Sequence, residues 1–436
     1  MLSRQTHGSL LHHIKGFTFG LCQRRKFSTT NILSGNRAIV YTNNGSPSEV
    51  LSSLTYPNLP PPLPNTVNVR FLLAPINPAD VNVIEGVYPA KPDTADNLCV
   101  AAQGHKDLPV FVGGNEGLAE VSEVGHGVDG VRKHDWVIMT RPQSGTWMSS
   151  KNVRVEDVLK VPPGLNEVQA ATLTVNPPTA YNMLHDYVEL NEGEWIIQNG
   201  ANSAVGQAVI QIAATRGIKT INLIRPRCGY RAYVIYDRPY ADNRIRERVD
   251  ALKEHLLDLG ATCVATYDEL CDKSFKGKVK QWTGGKVGLS LTYSPATDNS
   301  LRFQDIRLGL NCVSGRATAV MARLLGQDGH LVSYGAMSKE PLSLPTSLFI
   351  FKNLTCHGFW QSRWYARKTP EERQRLLETL TSLMTRGQLK APEHEILTLE
   401  GTAWDDQITL KIRDTFSSLA RGQFGKKILL KVECTL

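Results

Sequence analysis

Residues 194 to 225 read EWIIQNGANSAVGQAVIQIAATRGIKTINLIR, and the fold follows from this stretch. Glu194 to Asn199 has the character of a short buried strand, and Gly200 to Ser203 makes a tight turn. Ala204 to Arg216 then sets Val205, Ala208, Val209, Ile212 and Ala213 on one face of a helix. Gly217 ends the helix, and Thr220 to Ile224 supplies a second strand. A strand, a glycine-bounded turn and a helix N-terminus direct free backbone N–H groups and the helix dipole to a point where a pyrophosphate can sit. Glycines hold only the outer positions, Gly200 and Gly206, so an ordinary βαβ unit shares the local pattern.

The end of the second strand narrows the choice. Folds that select NAD place an Asp or Glu there against the ribose 2′-hydroxyl, and those that select NADP use arginine against the 2′-phosphate. This chain offers Arg225-Pro226-Arg227 and no carboxylate. Guanidinium forks suit a phosphate dianion, which favours NADPH as cofactor.

A length of 436 residues with 41% apolar composition suits two globular domains. No apolar run approaches the roughly 20 residues of a membrane span. The formal charge is +8, and the first 48 residues contain no Asp or Glu. Arg4, Lys15, Arg24, Arg25 and Lys26 all precede Ser28, the pattern of a mitochondrial transit peptide over 1–27. Its removal leaves +3, which argues against nucleic acid as a partner. The eight cysteines form no C-x-x-C pair, so the sequence predicts neither a metal site nor a disulfide framework.

Outward from the central unit, 37–165 reads as an irregular β-rich module, with strands over Arg37 to Val50, Val67 to Pro75, Phe111 to Val121 and Asp135 to Met139. Ile76 to Pro92 reads as a polar-rich bend carrying Tyr88. Strands and helices alternate over 166–358, with further parallel strands expected at Ala261 to Thr266, Ile306 to Val313, His330 to Gly335 and Leu354 to Phe359. Thr369-Pro370-Glu371-Glu372 is a capping box opening a helix, and Gly425 to Val432 looks like a strand returning to the first module, so 359–436 rejoins it.

The combination of INPAD (76–80), EGVYP (85–89), GGNEG (113–117), TVNPPTAY (174–181), QNGANSAVGQ (198–207), YGAMS (334–338) and GFW (358–360) closely resembles the mitochondrial 2-enoyl thioester reductases of the zinc-free medium-chain dehydrogenase/reductase superfamily, in a fungal form. The resemblance implies a GroES-like β-barrel catalytic domain and a doubly wound Rossmann domain. It also implies a homodimer in the mitochondrial matrix that reduces 2,3-trans-enoyl thioesters on acyl carrier protein or CoA with NADPH. Tyr88 matches the catalytic tyrosine. Asn176 would stand near the nicotinamide, and Asn202, Ser203, Ala204 and Val205 at the pyrophosphate. Tyr334, Gly335, Ala336 and Met337, with Phe359, Trp360 and Gln361, would line the nicotinamide, and Lys426 would close the site.

Two segments depart from the family pattern. Pro226 to Tyr236 separates Arg225 from Asp237-Arg238-Pro239, leaving Arg227 and Arg238 as alternative partners of Arg225 at the 2′-phosphate. Val287 to Gln304 separates Lys286 from Asp305. Both read as loop extensions, which are thermodynamically cheap, and the second also as translated intron sequence. A zinc-free quinone or alkenal reductase shares the fold without requiring the tyrosine loop. A catalytically silent dehydrogenase-like binding protein is the reading from a different class.

Overall fold

The computed structural model describes residues 35–95, 98, 109–225, 243–284, 305–422 and 425–435. The leader 1–27, Arg227, Arg238 and both departures from the family pattern lie outside the described residues.

Eight strands come first: β1 (Asn36–Tyr41), β2 (Ser52–Tyr56), β3 (Thr66–Pro75), β4 (Phe111–Val112), β5 (Leu118–Val124), β6 (Trp136–Met139), β7 (Ser150–Arg154) and β8 (Val158–Lys160). β1 pairs antiparallel with β2 and β4, and β3 pairs antiparallel with β5 and β7. The expected strand over Arg37 to Val50 is corrected, because β1 stops at Tyr41 and Pro47–Val50 forms a helical turn before β2. Pro47 has no N–H to give a ladder and its fixed φ suits the first helical position. The bend expected at Ile76 to Pro92 likewise contains a helix, Pro78–Ile84, whose start is fixed by Asn77 N donating to Asp80 Oδ2.

Six parallel strands follow: β9 (Trp195–Asn199), β10 (Lys219–Ile224), β11 (Cys263–Thr266), β12 (Ile306–Asn311), β13 (Leu325–Ser333) and β14 (Thr355–Gly358). Their order is β11-β10-β9-β12-β13-β14, so the winding reverses between β9 and β12, at the central unit. That order is the doubly wound Rossmann arrangement, whose ligands sit outside the carboxyl ends of the strands at the switch point. The helix Ala204–Thr215 buries Ala208, Val209, Ile212 and Ala213 against this sheet. Ser203 caps it by accepting from Gly206 N at 3.1 Å.

The last strands, β15 (His394–Leu399) and β16 (Lys427–Val432), return to the first module. β16 pairs antiparallel with β3 and parallel with β15, extending the larger antiparallel sheet to seven strands. The whole is a GroES-like antiparallel barrel interrupted by a Rossmann sheet. One apolar core crosses the junction: Leu73, Leu118 and Ile138 from the barrel join Leu308 from the parallel sheet and Ala208 and Val209 from the helix Ala204–Thr215, with Leu376, Leu377 and Met384 from the helix Pro370–Thr385. Thr369 caps that helix by accepting from Glu372 N.

The first strand is tied to the last helix by a buried cation. Arg37 is 1% exposed, donates Nε to Asp405 Oδ1 at 3.2 Å, and gives its two terminal nitrogens to the carbonyls of Glu400 and Ala403, each at 2.6 Å. Replacing Arg37 with Leu strands those acceptors and should lower the unfolding free energy by roughly 3 kcal/mol, read by urea denaturation.

Candidate active site

The turn between β9 and the helix Ala204–Thr215 is built by close packing. At Gly206 a Cβ would lie 2.6 Å from the Cα and carbonyl oxygen of Ala201, so only glycine lets the helix start this near the strand. Beneath it, Gln198 donates to Gly206 O at 2.9 Å and to Asn222 Oδ1 at 2.7 Å, fixing the helix start to β9 and β10. Asn202, Ser203, Ala204 and Val205 stay partly exposed at the turn. Arg225 is exposed just beyond β10.

A second loop meets this turn from β12 and β13. Asn199 donates to Asn311 Oδ1 at 2.9 Å and accepts from Cys312 N at 2.8 Å, coupling the ends of β9 and β12. Tyr334 N donates to Asn311 O, and Met337 N to Cys312 O, both at 2.9 Å. These bonds hold Tyr334 to Met337 along the carboxyl edge of the sheet. Burial pushes the Tyr334 hydroxyl well above the usual phenol range, while Met337 is 58% exposed. Phe359 N donates to Ser333 O at 2.9 Å, which sets Phe359, Trp360 and Gln361 beside the same edge.

The structure brings Tyr88 to Trp360. Trp360 Nε1 donates to Tyr88 Oη at 2.7 Å, and the rings meet edge to face with centroids 5.9 Å apart. Ser362 stands near enough to the phenol to oppose the rise in its pKa. With its oxygen accepting, the Tyr88 O–H remains the group's donor. Burial raises its pKa above the ordinary value of 10.0 against the opposing pull of Trp360 and Ser362, so the phenol is protonated at neutral pH. Ser362 and Tyr365 also line, with Thr140, Arg141 and Arg373, a cavity of about 360 Å³. Lys339 reaches Glu85 at 3.5 Å, a further contact between the loop after β13 and the segment that carries Tyr88.

Behind this surface lies a charged cluster to which the sequence reading assigned no role. Asp80 and Glu116 are each 1% exposed, and half-buried Lys427 carries its ammonium away from solvent, within reach of the charge of both. Asp80 Oδ2 accepts from Asn77 N at 2.7 Å, and Glu116 accepts from Asn77 Nδ2 at 2.8 Å and from Thr174 Oγ1 at 3.1 Å. Lys427 donates to Asn77 Oδ1. Asn176 Nδ2 donates to the same oxygen at 3.4 Å. Lys426, the residue just before β16, is exposed. Asp80, Asn77 and Glu116 stand inside INPAD and GGNEG, but those residue types in short loops carry no local signal of burial.

Two carboxyls and one ammonium cannot all ionise cheaply without water. Desolvation pushes Asp80 up to about 7 and raises Glu116 as well, while Lys427 is lowered by its own burial. The Asp80 charge also adds to the upward shift of the Tyr41 and Tyr88 hydroxyls, behind the larger effect of their burial.

No family model matches the chain. Individual proteins do. The chain is 38% identical over 401 residues to the mitochondrial enoyl-[acyl-carrier-protein] reductase of Yarrowia lipolytica, covering 92% of this chain and 93% of the relative. Among solved structures it resembles an Etr1p/NADP/crotonyl-CoA complex, with TM-score 0.75 and 31% identity over 91% of this chain and 99% of that one. It also resembles the mitochondrial 2-enoyl thioester reductase Etr1p/Etr2p heterodimer from Candida tropicalis, with TM-score 0.74 and 32% identity over 92% of this chain and 100% of that one.

Because the folded Asp80 pKa stands above the unfolded one, the native state holds a proton that the unfolded chain has released between about 4 and 7. Its contribution to stability is therefore complete below that window and is lost as the pH rises through it. The melting temperature of Asp80→Asn should fall less than that of the unsubstituted chain between pH 5 and pH 8, a comparison that differential scanning calorimetry makes directly.

Proposed function

The chain belongs to the family of mitochondrial enoyl-[acyl-carrier-protein] reductases, and from that premise we propose that it reduces the double bond of 2,3-trans-enoyl thioesters with NADPH in mitochondrial fatty acid synthesis. The observation that carries the reading is the Tyr88 hydroxyl, oriented by Trp360 at the junction of the two sheets. A protonated phenol with its oxygen already accepting is suited to donate to a developing oxyanion.

The residues fit the cofactor. The Ser203-capped helix start would offer N–H groups to a pyrophosphate, Gly206 permits the close approach of strand and helix, and Arg225, exposed just beyond β10, would meet a 2′-phosphate. NADPH supplies the hydride that reaches the β-carbon. Tyr88 donates to the charge that builds on the thioester oxygen or relays the proton to the α-carbon. Asn176, Asn202 to Val205, Tyr334 to Met337, Phe359 to Gln361 and Lys426 bind and orient the cofactor in this reading. Residues 37–165 and 359–436 form the catalytic part and 166–358 the cofactor part. The cavity lined by Arg141, Ser362, Tyr365 and Arg373 admits the arm of acyl carrier protein or CoA.

The same reading takes the enzyme as a homodimer of the mitochondrial matrix. β14 is the last strand of its sheet, and beside it the helix Thr346–Lys352 leaves Phe349, Ile350 and Phe351 exposed, Phe351 by 75%. A strand edge next to a compact apolar patch is the surface a second copy covers.

Oxidation of NADPH by the purified chain with trans-2-hexenoyl-CoA tests the activity, with NADH as the control. Absence of turnover with NADPH would overturn it. Tyr88→Phe should lower kcat by about 10²-fold or more while NADPH affinity stays near that of the unsubstituted chain. Phe351→Asp should shift the sedimentation coefficient from dimer to monomer; an unchanged coefficient would contradict the proposed interface.

A further inference from the structure

The Asn77 carboxamide is held at both ends. Its nitrogen donates to the Glu116 carboxylate at 2.8 Å, and its oxygen accepts from the Lys427 ammonium. Turning the amide over would face N–H groups toward an ammonium and a carbonyl oxygen toward a carboxylate, so the two charges fix one orientation. That orientation presents Asn77 Oδ1 to Asn176, whose Nδ2 donates to it at 3.4 Å. Asn176 is 7% exposed and begins the helix Asn176–His185, so its side chain has little room to choose another partner. With the nitrogen turned inward to Asn77, the carbonyl oxygen on the other side of the amide faces away from that contact and is the acceptor it keeps for a ligand, beside the second N–H.

We infer that Lys427 is a positioning residue of the cofactor site, acting through Asn77 to hold Asn176 with its oxygen available to a hydrogen-bond donor, the carboxamide N–H₂ of nicotinamide. The inference rests on the reading that places Asn176 at the nicotinamide. It assigns a function to a buried ammonium that touches neither substrate nor cofactor. The burial of Asp80 and Glu116 then has a reason as well: Glu116 anchors the far end of Asn77, and Asp80 caps the helix that Asn77 opens.

The test compares NADPH affinity, by quenching of tryptophan fluorescence, in the full chain and in Lys427→Met, Lys427→Gln and Asn176→Ala. Lys427→Met removes the donor and should weaken NADPH about tenfold, the loss expected for one aligned hydrogen bond, with kcat at saturating NADPH largely retained. Lys427→Gln keeps a donor for Asn77 Oδ1 and should restore most of the affinity, which a requirement for the charge alone would not allow. Wild-type affinity in Lys427→Met, or equal weakening in Lys427→Met and Lys427→Gln, overturns the positioning role. Unchanged affinity in Asn176→Ala overturns the placement of Asn176 itself and the inference with it. If Lys427→Met shows no cooperative melt, Glu116→Gln combined with Lys427→Met removes the uncompensated carboxylate and carries the same comparison. The reduced 3-acetylpyridine analogue of NADPH, which lacks the amide N–H₂, should bind the full chain less tightly than NADPH and lose that disadvantage in Lys427→Met. Equal binding of the two cofactors by the full chain excludes the carboxamide as the donor met by Asn176.

Discussion

A single apolar core that crosses from one sheet to the other is the constraint on which the rest depends. Leu73, Leu118 and Ile138 belong to the barrel, Leu308 to the parallel sheet and Ala208 and Val209 to the helix packed on it, so a change at any of them disturbs both. Interiors packed at crystal density deform little, so the cofactor turn and the tyrosine loop stand at a set separation. Reduction of a conjugated thioester asks for that: a hydride source on one wall, a proton donor on the other, and no slack between them.

The polar elements of the junction are arranged around this rigidity. Gln198, Asn199, Asn222 and Asn311 are all at or below 1% exposure, and they join strand ends to the turns that follow. The Asp80, Glu116 and Lys427 cluster is of a different kind, because ionisable groups there are costly to enclose. Such a cluster is weak evidence for stability and better evidence for specification of geometry. Its members come from a helix after β3, a loop before β5 and the last strand, so it registers three distant parts of the chain against one another.

The central βαβ unit was legible in the sequence because periodicity and glycine punctuation act over adjacent residues. The expected helix at Ala204 to Arg216 is Ala204–Thr215, and the expected strand at Thr220 to Ile224 is Lys219–Ile224. The capping box at Thr369 was legible for the same reason. Arg37 to Val50 does not form one strand because Asn44-Gly45 and Ser46-Pro47, a local turn signal between Tyr41 and Val50, break it. The helix Pro78–Ile84 is shorter than the window over which a 3.6-residue period becomes visible. Lys426 and Lys427 show the limit at the site. Alternation puts neighbours on opposite faces of a strand, yet two identical residues give no sign of which face turns inward. Lys427 is the one enclosed, a fact set by the pairing of β16 with β3 across some 350 residues.

The tie between Arg37 and the helix Asp405–Ala420, together with the pairing of β16 and β3, has a consequence for how the polypeptide is made. Residues 195–358, which supply all six parallel strands, can meet while the carboxyl end is still being delivered. The barrel cannot close until its last few residues emerge, because its edge is built from them. A chain threaded amino end first through a translocase would therefore assemble its nucleotide-binding half early and its reaction chamber last, and a truncation near the carboxyl end would leave the first strand with a buried arginine and no acceptors.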